Sequence, residues 1–202
     1  MIVTICVALI TAVVGPTILE LVKNRLKKTE EDVDPMYKEM EADIVVNEQL
    51  KVLLGDIGCD RIWISQFHNG GHYYSSGVSI KKFSIFYEVV SAGISIIQQQ
   101  FQNVPTSFFS RALKEVHDHG DLVIYDMEDA EETSYGLRDT AKDTGCRSVF
   151  LACLKTPSGK FHGILAVEFV KEPHTFTEEE KEEIRSAAYF ISGTLSLIHK
   201  TK

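Results

Sequence analysis

The chain has 202 residues, of which 44% are hydrophobic and 25% are charged, and its formal net charge is −8 at pH 7. This length and composition fit one globular domain with additional segments, and they exclude a disordered or collagen-like chain. The acidic excess disfavours a surface that binds nucleic-acid phosphates. The four cysteines, at positions 6, 59, 146 and 153, show no CxxC spacing. They indicate neither a zinc site nor a disulfide framework, and they suit a reducing, cytosolic setting.

The N-terminal segment from Ile2 to Leu19 contains eighteen consecutive residues without a charge. As a helix it would be about 27 Å long, close to the thickness of a hydrocarbon core. A basic cluster follows, formed by Lys23, Arg25, Lys27 and Lys28. Because the positive-inside rule places such a cluster in the cytoplasm, we predict a single-pass membrane anchor over residues 1–28, with the N terminus outside. A cleaved signal peptide and a buried core helix are the alternatives.

An acidic linker, residues 29–35, follows this anchor, and we expect one domain over residues 36–202. Asp34 followed by Pro35 predicts a helix start, with aspartate as the N-cap and proline at the first helical position. Apolar residues then recur at mostly helical spacing until the glycines at positions 55 and 58 end the pattern. We interpret this helix either as one that packs on the domain or as a dimerising stalk.

The next elements are two predicted strands and the segment that joins them. Residues 61–67 alternate in polarity and contain Ile, Trp and Phe, and residues 83–90 form a second apolar and aromatic run. Between them, the sequence His-Asn-Gly-Gly at residues 68–71 predicts a turn or loop. We therefore expect two antiparallel strands joined by a long, glycine-rich, aromatic loop.

The middle of the chain predicts shorter elements. Residues 94–104 and 107–117 have helical patterns separated by Pro105, so that they form one broken helix or two. A short strand is expected at residues 122–125, and a polar helix that ends at a glycine is expected at residues 133–144.

The last third predicts a hairpin and a long helix. Residues 148–154 and 163–170 are apolar runs separated by the turn sequence Thr-Pro-Ser-Gly. Thr177 followed by Glu180 forms a capping-box pattern at the start of the final helix. Apolar residues in this helix step by four and three residues at Ile184, Ala188, Ile191, Leu195 and Ile198. Over only two heptads, this spacing is compatible with core packing and with a dimer seam.

The order of these elements resembles that of a GAF domain over residues 36–200. The sequence blocks that carry the resemblance are residues 60–64 (DRIWI), 145–149 (GCRSV), 163–169 (GILAVEF) and 174–180 (HTFTEEE). The resemblance implies an α+β fold with a central antiparallel sheet flanked by helices and a ligand pocket on one face. It also implies a sensory role in signal transduction.

GAF domains bind cyclic nucleotides, tetrapyrroles, small metabolites or metal centres, or they bind no ligand and form dimer contacts. This chain lacks the Asn-Lys…Phe…Asp-Glu signature that resembles cyclic-nucleotide phosphodiesterase regulators, and none of its cysteines has an obvious bilin-attachment context. The resemblance therefore leaves the ligand and any cofactor unknown. Because the chain stops after the final helix, we expect no output domain.

The most unusual stretch for a binding site is residues 67–74, which groups imidazoles, a carboxamide and aromatic rings near the expected pocket mouth. The candidate ligand-binding residues are Phe67, His68, Asn69, Tyr73, Tyr74, Tyr87, Glu88 and Arg147. We expect His68 and Asn69 to form hydrogen bonds with a ligand, and a tyrosine to stack on it. Alternatively, the Asn-Gly pair only forms a turn and the histidine is structural.

Thiol chemistry is the remaining catalytic alternative. Arg147 can lower the pKa of the neighbouring Cys146 thiol, and a redox sensor or enzyme would use Cys59, Cys146 and Cys153. Histidines occur as close pairs without a nearby cysteine couple, which disfavours a metal site. The sequence contains no P-loop, Rossmann glycine pattern, nucleophile elbow or zinc-protease motif, so we do not expect an enzyme.

The sequence thus predicts a membrane-anchored, cytoplasmic GAF-like sensory domain that binds a small-molecule ligand or a partner protein. We expect a homodimer through the first and last helices, and no nucleic-acid partner. The alternatives are an interaction module that binds no ligand and a thiol-based redox sensor.

Overall fold

The computed structural model describes residues 34–129 and 135–198. In this part of the chain the helices are α1 (Pro35–Ile57), α2 (Ser110–His119), α3 (Arg138–Thr144) and α4 (Glu178–Ile198), with a short 3-10 helix at Thr106–Phe109. The strands are β1 (Arg61–His72), β2 (Ser79–Val90), β3 (Val104–Pro105), β4 (Asp121–Ile124), β5 (Ser148–Lys155) and β6 (Phe161–Phe169). The chain divides into two compact units, Met1–Glu41 and Ala42–Lys202, and the packing described below lies within the second.

These strands form one antiparallel sheet in the order β3-β2-β1-β6-β5-β4. β1 is a central strand, with β2 on one side and β6 on the other. β5 and β6 pair along their lengths, from Ser148 opposite Phe169 to Lys155 opposite Phe161, which confirms the predicted hairpin. The predicted α+β fold, a central antiparallel sheet flanked by helices, is also confirmed.

The sheet separates two apolar cores. Because side chains alternate along a strand, Ile62 and Ile64 of β1 belong to the core that contains residues of α1 and α4. Trp63 and Phe67 belong to the opposite core, which contains residues of α2 and α3. Each fully buried aliphatic side chain in these cores contributes about 1.5–3 kcal/mol.

α4 packs on the sheet through the residues of the predicted seam. Ile184, Ala188, Ile191 and Leu195 are all buried in the core shared with α1, while the Ile198 side chain lies outside the described part of the chain. The core-packing interpretation of this seam is therefore confirmed. These four side chains are consequently not free to pair with a second copy of the helix.

Both predicted helix starts are confirmed. Asp34 Oδ1 accepts a hydrogen bond from the backbone N–H of Met36 at 2.9 Å. At the start of α4, Thr177 Oγ1 accepts a hydrogen bond from the Glu180 N–H at 3.2 Å, and the Glu180 carboxylate accepts one from the Thr177 N–H at 2.7 Å. This reciprocal pair satisfies N–H groups that the first turn of a helix leaves unpaired.

The predicted turn at residues 68–71 is wrong. β1 continues through His72, and His68 pairs with Lys82 of β2. The turn comes later, at residues 73–78, where backbone hydrogen bonds close the hairpin. The physical reason is that β2 pairs with His68, Asn69 and His72, so that the strand continues past the two glycines. Residues 70 and 71 lie in an irregularity of the register between these pairs.

The predicted helix at residues 94–104 is also wrong, because this segment forms turns. Glu88 of β2 accepts hydrogen bonds from the backbone N–H groups of Ile97 at 2.9 Å and Gln98 at 2.7 Å. At the end of the segment, Asn103 has a φ of 59°, in the left-handed region that does not continue a helix. A side chain from the sheet therefore takes the Gln98 N–H, which a helix from residue 94 would bond internally, and the backbone at Asn103 leaves the helical region.

Three shorter predictions are confirmed with shifted ends. The helix expected at residues 107–117 is α2, preceded by the 3-10 helix, and the strand expected at residues 122–125 is β4. The helix expected at residues 133–144 is α3, which begins only at Arg138; residues 133 and 134 lie outside the described residues. The ends of these elements differ from the predicted ends because local sequence patterns do not report the tertiary contacts that end a helix or a strand.

The predicted membrane anchor, residues 1–28, lies outside the described residues, as does most of the acidic linker. Within residues 34–129 and 135–198, no helix is long and apolar enough to cross a membrane. The anchor and its orientation therefore stay predictions.

Candidate ligand-binding cavity

A cavity of about 80 Å³ lies on the face of the sheet opposite α1 and α4. Residues of β1, β2, β5 and β6 form its sheet side, and residues of α2, α3 and the neighbouring turns line the rest. Most of these side chains are apolar, such as Ile85, Phe109 and Leu151. The cavity is therefore on the face that carries the core of α2 and α3.

Strand alternation explains which side chains of the sheet reach the cavity. On β1, Trp63 and Ser65 line the cavity, while the neighbouring Ile62 and Ile64 belong to the opposite core. On β6, Ile164 and Glu168 line it in the same way. Ser65 pairs with Ile164 in the β1–β6 ladder, so a polar and an apolar side chain lie side by side in the cavity wall.

Glu168 is the acidic centre of the cavity wall. Arg61 stands directly opposite it in the β1–β6 ladder and donates from Nε to Glu168 Oε2 at 2.8 Å. Trp63 Nε1 donates to Glu168 Oε1 at 2.6 Å. The Arg61 guanidinium also donates to the carbonyl oxygens of Ser95 at 3.1 Å and Thr144 at 3.0 Å.

These hydrogen bonds make a buried charge tolerable. A buried ion pair is favourable only when its remaining donors and acceptors are satisfied, because both ions lose their hydration. Here Arg61 finds acceptors on β6, at the C-terminal end of α3 and in the turn at Ser95. The side chain therefore ties the sheet to two of the segments that surround the cavity.

The cysteines have pKa values that oppose thiolate formation. Cys146 lines the cavity, and burial raises the pKa of its thiol well above its usual value. Burial likewise raises the pKa of Cys59 to about 12 and that of Cys153 to about 11. Cys59 belongs to the core of α1 and α4, and the other two belong to the opposite core. Since the thiolate is the reactive form, this placement weighs against the thiol redox alternative.

The cavity also offers polar groups to an organic ligand. In addition to Glu168 and Cys146, the described lining includes the hydroxyl-bearing residues Ser65, Thr140 and Thr144. In the described ranges, no group of three or more His, Cys, Asp or Glu side chains is placed to hold a metal ion.

None of the eight predicted ligand-binding residues lines this cavity: Phe67, His68, Asn69, Tyr73, Tyr74, Tyr87, Glu88 and Arg147. Phe67 packs edge-to-face on Phe161, with ring centroids 4.7 Å apart, in the core of α2 and α3. His68 Nε2 lies 2.9 Å from Ser84 Oγ, within hydrogen-bond distance. Both side chains thus have partners inside the domain.

The remaining residues of the aromatic stretch lie on the β1–β2 hairpin. Asn69 Oδ1 accepts a hydrogen bond from Lys81 Nζ at 2.5 Å. Tyr73 is half exposed and Tyr74 is fully exposed at the turn. Their roles in ligand binding stay predictions, at a place separate from the cavity.

The last three predicted residues lie at different places. Tyr87 faces the core of α1 and α4 and donates a hydrogen bond to Asp43. The Glu88 carboxylate accepts hydrogen bonds from backbone N–H groups in the turns that follow β2. These hydrogen bonds lower its pKa, but burial has the larger effect and raises it. Arg147 precedes the first residue of β5, and its Nη2 lies 3.6 Å from Glu128 Oε2. The structure does not bring these residues together.

The predicted site residues do not include Ser65 and Glu168, the polar residues of the cavity wall, or Arg61, the partner of Glu168. Glu168 places a charge in an apolar strand, Arg61 begins β1 with a charge, and Ser65 places a hydroxyl in β1. A buried charge requires a partner, so opposite charges in two apolar strands were the available signal.

Comparison with solved structures shows that the fold is that of GAF domains. The blue-light-absorbing form of the PixJ GAF domain from Thermosynechococcus elongatus matches with a TM-score of 0.62 at 16% identity, over 80% of this chain and 89% of that chain. A far-red cyanobacteriochrome photoreceptor matches with a TM-score of 0.61 at 11% identity, over 92% and 98%. The phycocyanobilin-bound GAF domain of a cyanobacterial phytochrome matches with a TM-score of 0.60 at 15% identity, over 91% and 94%.

No protein-family model and no curated protein sequence matches the chain. At these low identities, the solved structures show a shared fold alone. The GAF-like fold that the sequence predicts is confirmed.

Proposed function

We propose that this protein is a sensory GAF domain that binds a small organic molecule in the cavity beside β1, β6 and α3. The observation that carries the proposal is an apolar cavity with buried polar groups, Ser65 and Glu168, on its sheet side. Ligand sites in proteins typically combine these two features. A structure with this fold that is described as phycocyanobilin-bound supports ligand binding as a use of the fold.

The size of the cavity argues against a tetrapyrrole in this chain. Sites for drug-sized ligands typically enclose about 300–1,000 Å³. The cavity here encloses about 80 Å³. We therefore propose a small molecule as the ligand. Because the volume is limited, the second candidate function is an interaction module that binds no ligand.

The proposed signal travels from the cavity to α4 along the end of β6. Glu168 lines the cavity, and the next residue, Phe169, stacks on His174 with ring centroids 3.9 Å apart. His174 Nε2 in turn lies 3.0 Å from a carboxylate oxygen of Glu180, which caps α4. A ligand shifts α4 through these contacts only if two packed states differ in their affinity for it.

A homodimer through α1 and α4 is part of the proposal. Beyond their buried faces, these helices expose large apolar side chains, namely Ile44, Val45, Val52, Tyr189, Phe190 and Leu197. Clusters of exposed apolar residues on helices that also pack on one core are typical of interaction surfaces. A second copy of the chain would cover them.

Membrane anchoring is supported by the uncharged run from Ile2 to Leu19 and the basic cluster after it. If the proposal is right, the full chain stays in the membrane fraction during alkaline carbonate extraction. Release into the soluble fraction would contradict it.

The ligand-binding proposal is tested by thermal unfolding of the full chain against a library of small molecules. Ala141 lines the cavity and is 5% exposed, so that Ala141→Leu fills part of the space. We expect at least one compound to raise the Tm of the original chain and to leave that of Ala141→Leu unchanged.

Tyr74→Ala is the matched control, because Tyr74 is exposed on the hairpin turn and does not line the cavity. This variant should respond to the compound like the original chain. If every stabilising compound acts equally on Ala141→Leu, the cavity is not the site.

A further inference from the structure

We infer that the cavity selects an uncharged, mainly apolar molecule of about one ring or less, held by a hydrogen bond to the Ser65 hydroxyl. This inference rests on the proposed function and adds the chemical class of the ligand. Three independent features of the cavity support it: its volume, the charges of its lining, and the hydroxyl of Ser65, which has no protein partner in the described residues.

The volume sets the size of the ligand. A cavity of about 80 Å³ has room for several water molecules, since each needs about 10–15 Å³. In another protein, an engineered apolar cavity of about 150 Å³ holds benzene. The cavity here therefore accepts a molecule of a few non-hydrogen atoms, or a single ring when flexible side chains such as Met127 shift.

The charges of the lining exclude ions. Among the described residues that line the cavity, Glu168 alone is charged. Its charge is compensated by Arg61, whose donors are directed to Glu168, Ser95 and Thr144. An anionic ligand would lie beside the Glu168 carboxylate with no further cationic side chain in the described lining to compensate its charge. A cationic ligand would lie beside a carboxylate that Arg61 already neutralises. Both arrangements bury an uncompensated charge, which is costly, so the ligand is uncharged.

Ser65 supplies the polar contact. The residue is 2% exposed and lines the cavity. Within the described residues its hydroxyl has no protein partner, and its oxygen is open to the cavity, since it is not among the fully buried polar atoms without a partner. The other buried serines of the described residues all have hydroxyl partners, namely Ser84, Ser148, Ser192 and Ser196. A hydroxyl that faces a cavity and has no protein partner is available to a ligand, and a ligand with a hydroxyl, carbonyl or amine group would bond to it.

Ligand-observed ¹⁹F NMR on the full chain in detergent tests this inference with three probes of similar size. The probes are 4-fluorophenol, which is neutral and polar, fluorobenzene, which is neutral and apolar, and 4-fluorobenzoate, which is anionic. We expect 4-fluorophenol to bind about fivefold more tightly than fluorobenzene, since one net hydrogen bond accounts for such a ratio. We expect 4-fluorobenzoate not to bind in the cavity.

Ser65→Ala separates a ligand contact from a structural role. It should lower the affinity for 4-fluorophenol to that for fluorobenzene and leave fluorobenzene unchanged. Its Tm without ligand should not fall, because the hydroxyl has no partner to lose, whereas Ser148→Ala should lower the Tm by removing the hydrogen bond to Tyr125 O. An unchanged ratio of the two affinities in Ser65→Ala would overturn the inference.

The outcomes also distinguish this inference from the proposed function. Cavity binding of 4-fluorobenzoate that exceeds that of 4-fluorophenol, with loss of both in Ala141→Leu, overturns the ligand class and keeps the ligand site. The ligand class is also overturned, and the ligand site kept, if none of the three probes binds but another compound raises the Tm of the original chain and not that of Ala141→Leu. If no compound distinguishes Ala141→Leu from the original chain, both fail.

Discussion

Arg61 and Glu168 face each other across the β1–β6 ladder, and Nε and Nη2 of the guanidinium lie 2.8 and 2.7 Å from the same carboxylate oxygen. Both residues are buried, with exposed fractions of 0% and 5%. The pair stands where the sheet, the end of α3 and the turn at Ser95 meet. It therefore links these three segments and holds a carboxylate in the cavity wall.

Replacement of one member of this pair should be strongly destabilising. Arg61→Leu leaves the Glu168 carboxylate buried without compensation, and we expect the free energy of unfolding to fall by about 3–5 kcal/mol. Equilibrium unfolding in urea measures this change.

The double variant, Arg61→Leu with Glu168→Leu, is the control. It removes both charges, and it should recover much of the stability lost in Arg61→Leu, because apolar residues replace a buried ion pair at little cost. A loss of less than about 1 kcal/mol in Arg61→Leu would show that the pair is not structural.

Asp60 should make stability depend on pH in the acid range. Burial alone would raise its pKa, but hydrogen bonds from the Lys171 side chain and from the backbone N–H groups of Lys171 and Val170 lower it to about 2. Because the folded-state pKa of Asp60 is depressed below its ordinary value of 3.8, the stabilisation is present above about pH 4 and is lost as the pH falls towards 2. It amounts to about 2 kcal/mol at neutral pH.

Asp60→Asn should remove this dependence and lower the free energy of unfolding at pH 7 by that amount. Unfolding curves between pH 2 and pH 7 measure the effect. Asp56→Asn, at an exposed position near the end of α1, is the control and should behave like the original chain. Parallel pH profiles for Asp60→Asn and the original chain would refute the role of Asp60.

Two glycines should respond oppositely to alanine. A Cβ at Gly163 would lie 2.2 Å from the Ser65 carbonyl oxygen, so that Gly163→Ala must push β1 and β6 apart and should cost about 1–3 kcal/mol. A Cβ at Gly55, in the last turn of α1, meets nothing within 4 Å. Gly55→Ala should therefore stabilise the chain by up to about 1 kcal/mol. Thermal unfolding of the two variants checks the signs, and equal effects would show that β1 and β6 do not approach so closely.

The proposed homodimer predicts that one exposed aromatic residue controls assembly. Tyr189 on α4 is 86% exposed, and Tyr189→Glu should convert the dimer of the full chain into a monomer. Tyr74→Glu, which changes an exposed tyrosine on the hairpin turn, should leave the dimer intact. Sedimentation of the detergent-solubilised chain measures both, and a monomeric original chain at high micromolar concentration would contradict the homodimer.

Local patterns were sufficient to predict several elements. The capping box of Thr177 and Glu180, the turn between β5 and β6 and the alternation of Ile62 and Ile64 each involve neighbouring residues, and the structure confirms all three. The helical pattern at residues 94–104 does not form a helix, because Glu88 on another element takes the Gln98 N–H and Asn103 adopts a left-handed conformation.

The cavity could not be predicted in the same way. Ser65 and Glu168 meet at one cavity because of the β1–β6 register, and the covering residues come from α2 and α3, far away in the sequence. The aromatic stretch around Tyr74 stands out by its composition, but the register with β2 places it on a hairpin outside the cavity. Strand register is set by contacts between distant segments, which single-sequence patterns do not report.

The central claim is that the cavity beside Ser65 and Glu168 holds a small molecule. Native mass spectrometry of the full chain in detergent, purified without refolding and then incubated with compounds that raise its Tm, tests it most directly. We expect a stoichiometric small-molecule adduct on the original chain and none on Ala141→Leu. A bare original chain, or an adduct that persists at equal occupancy on Ala141→Leu, would contradict the claim.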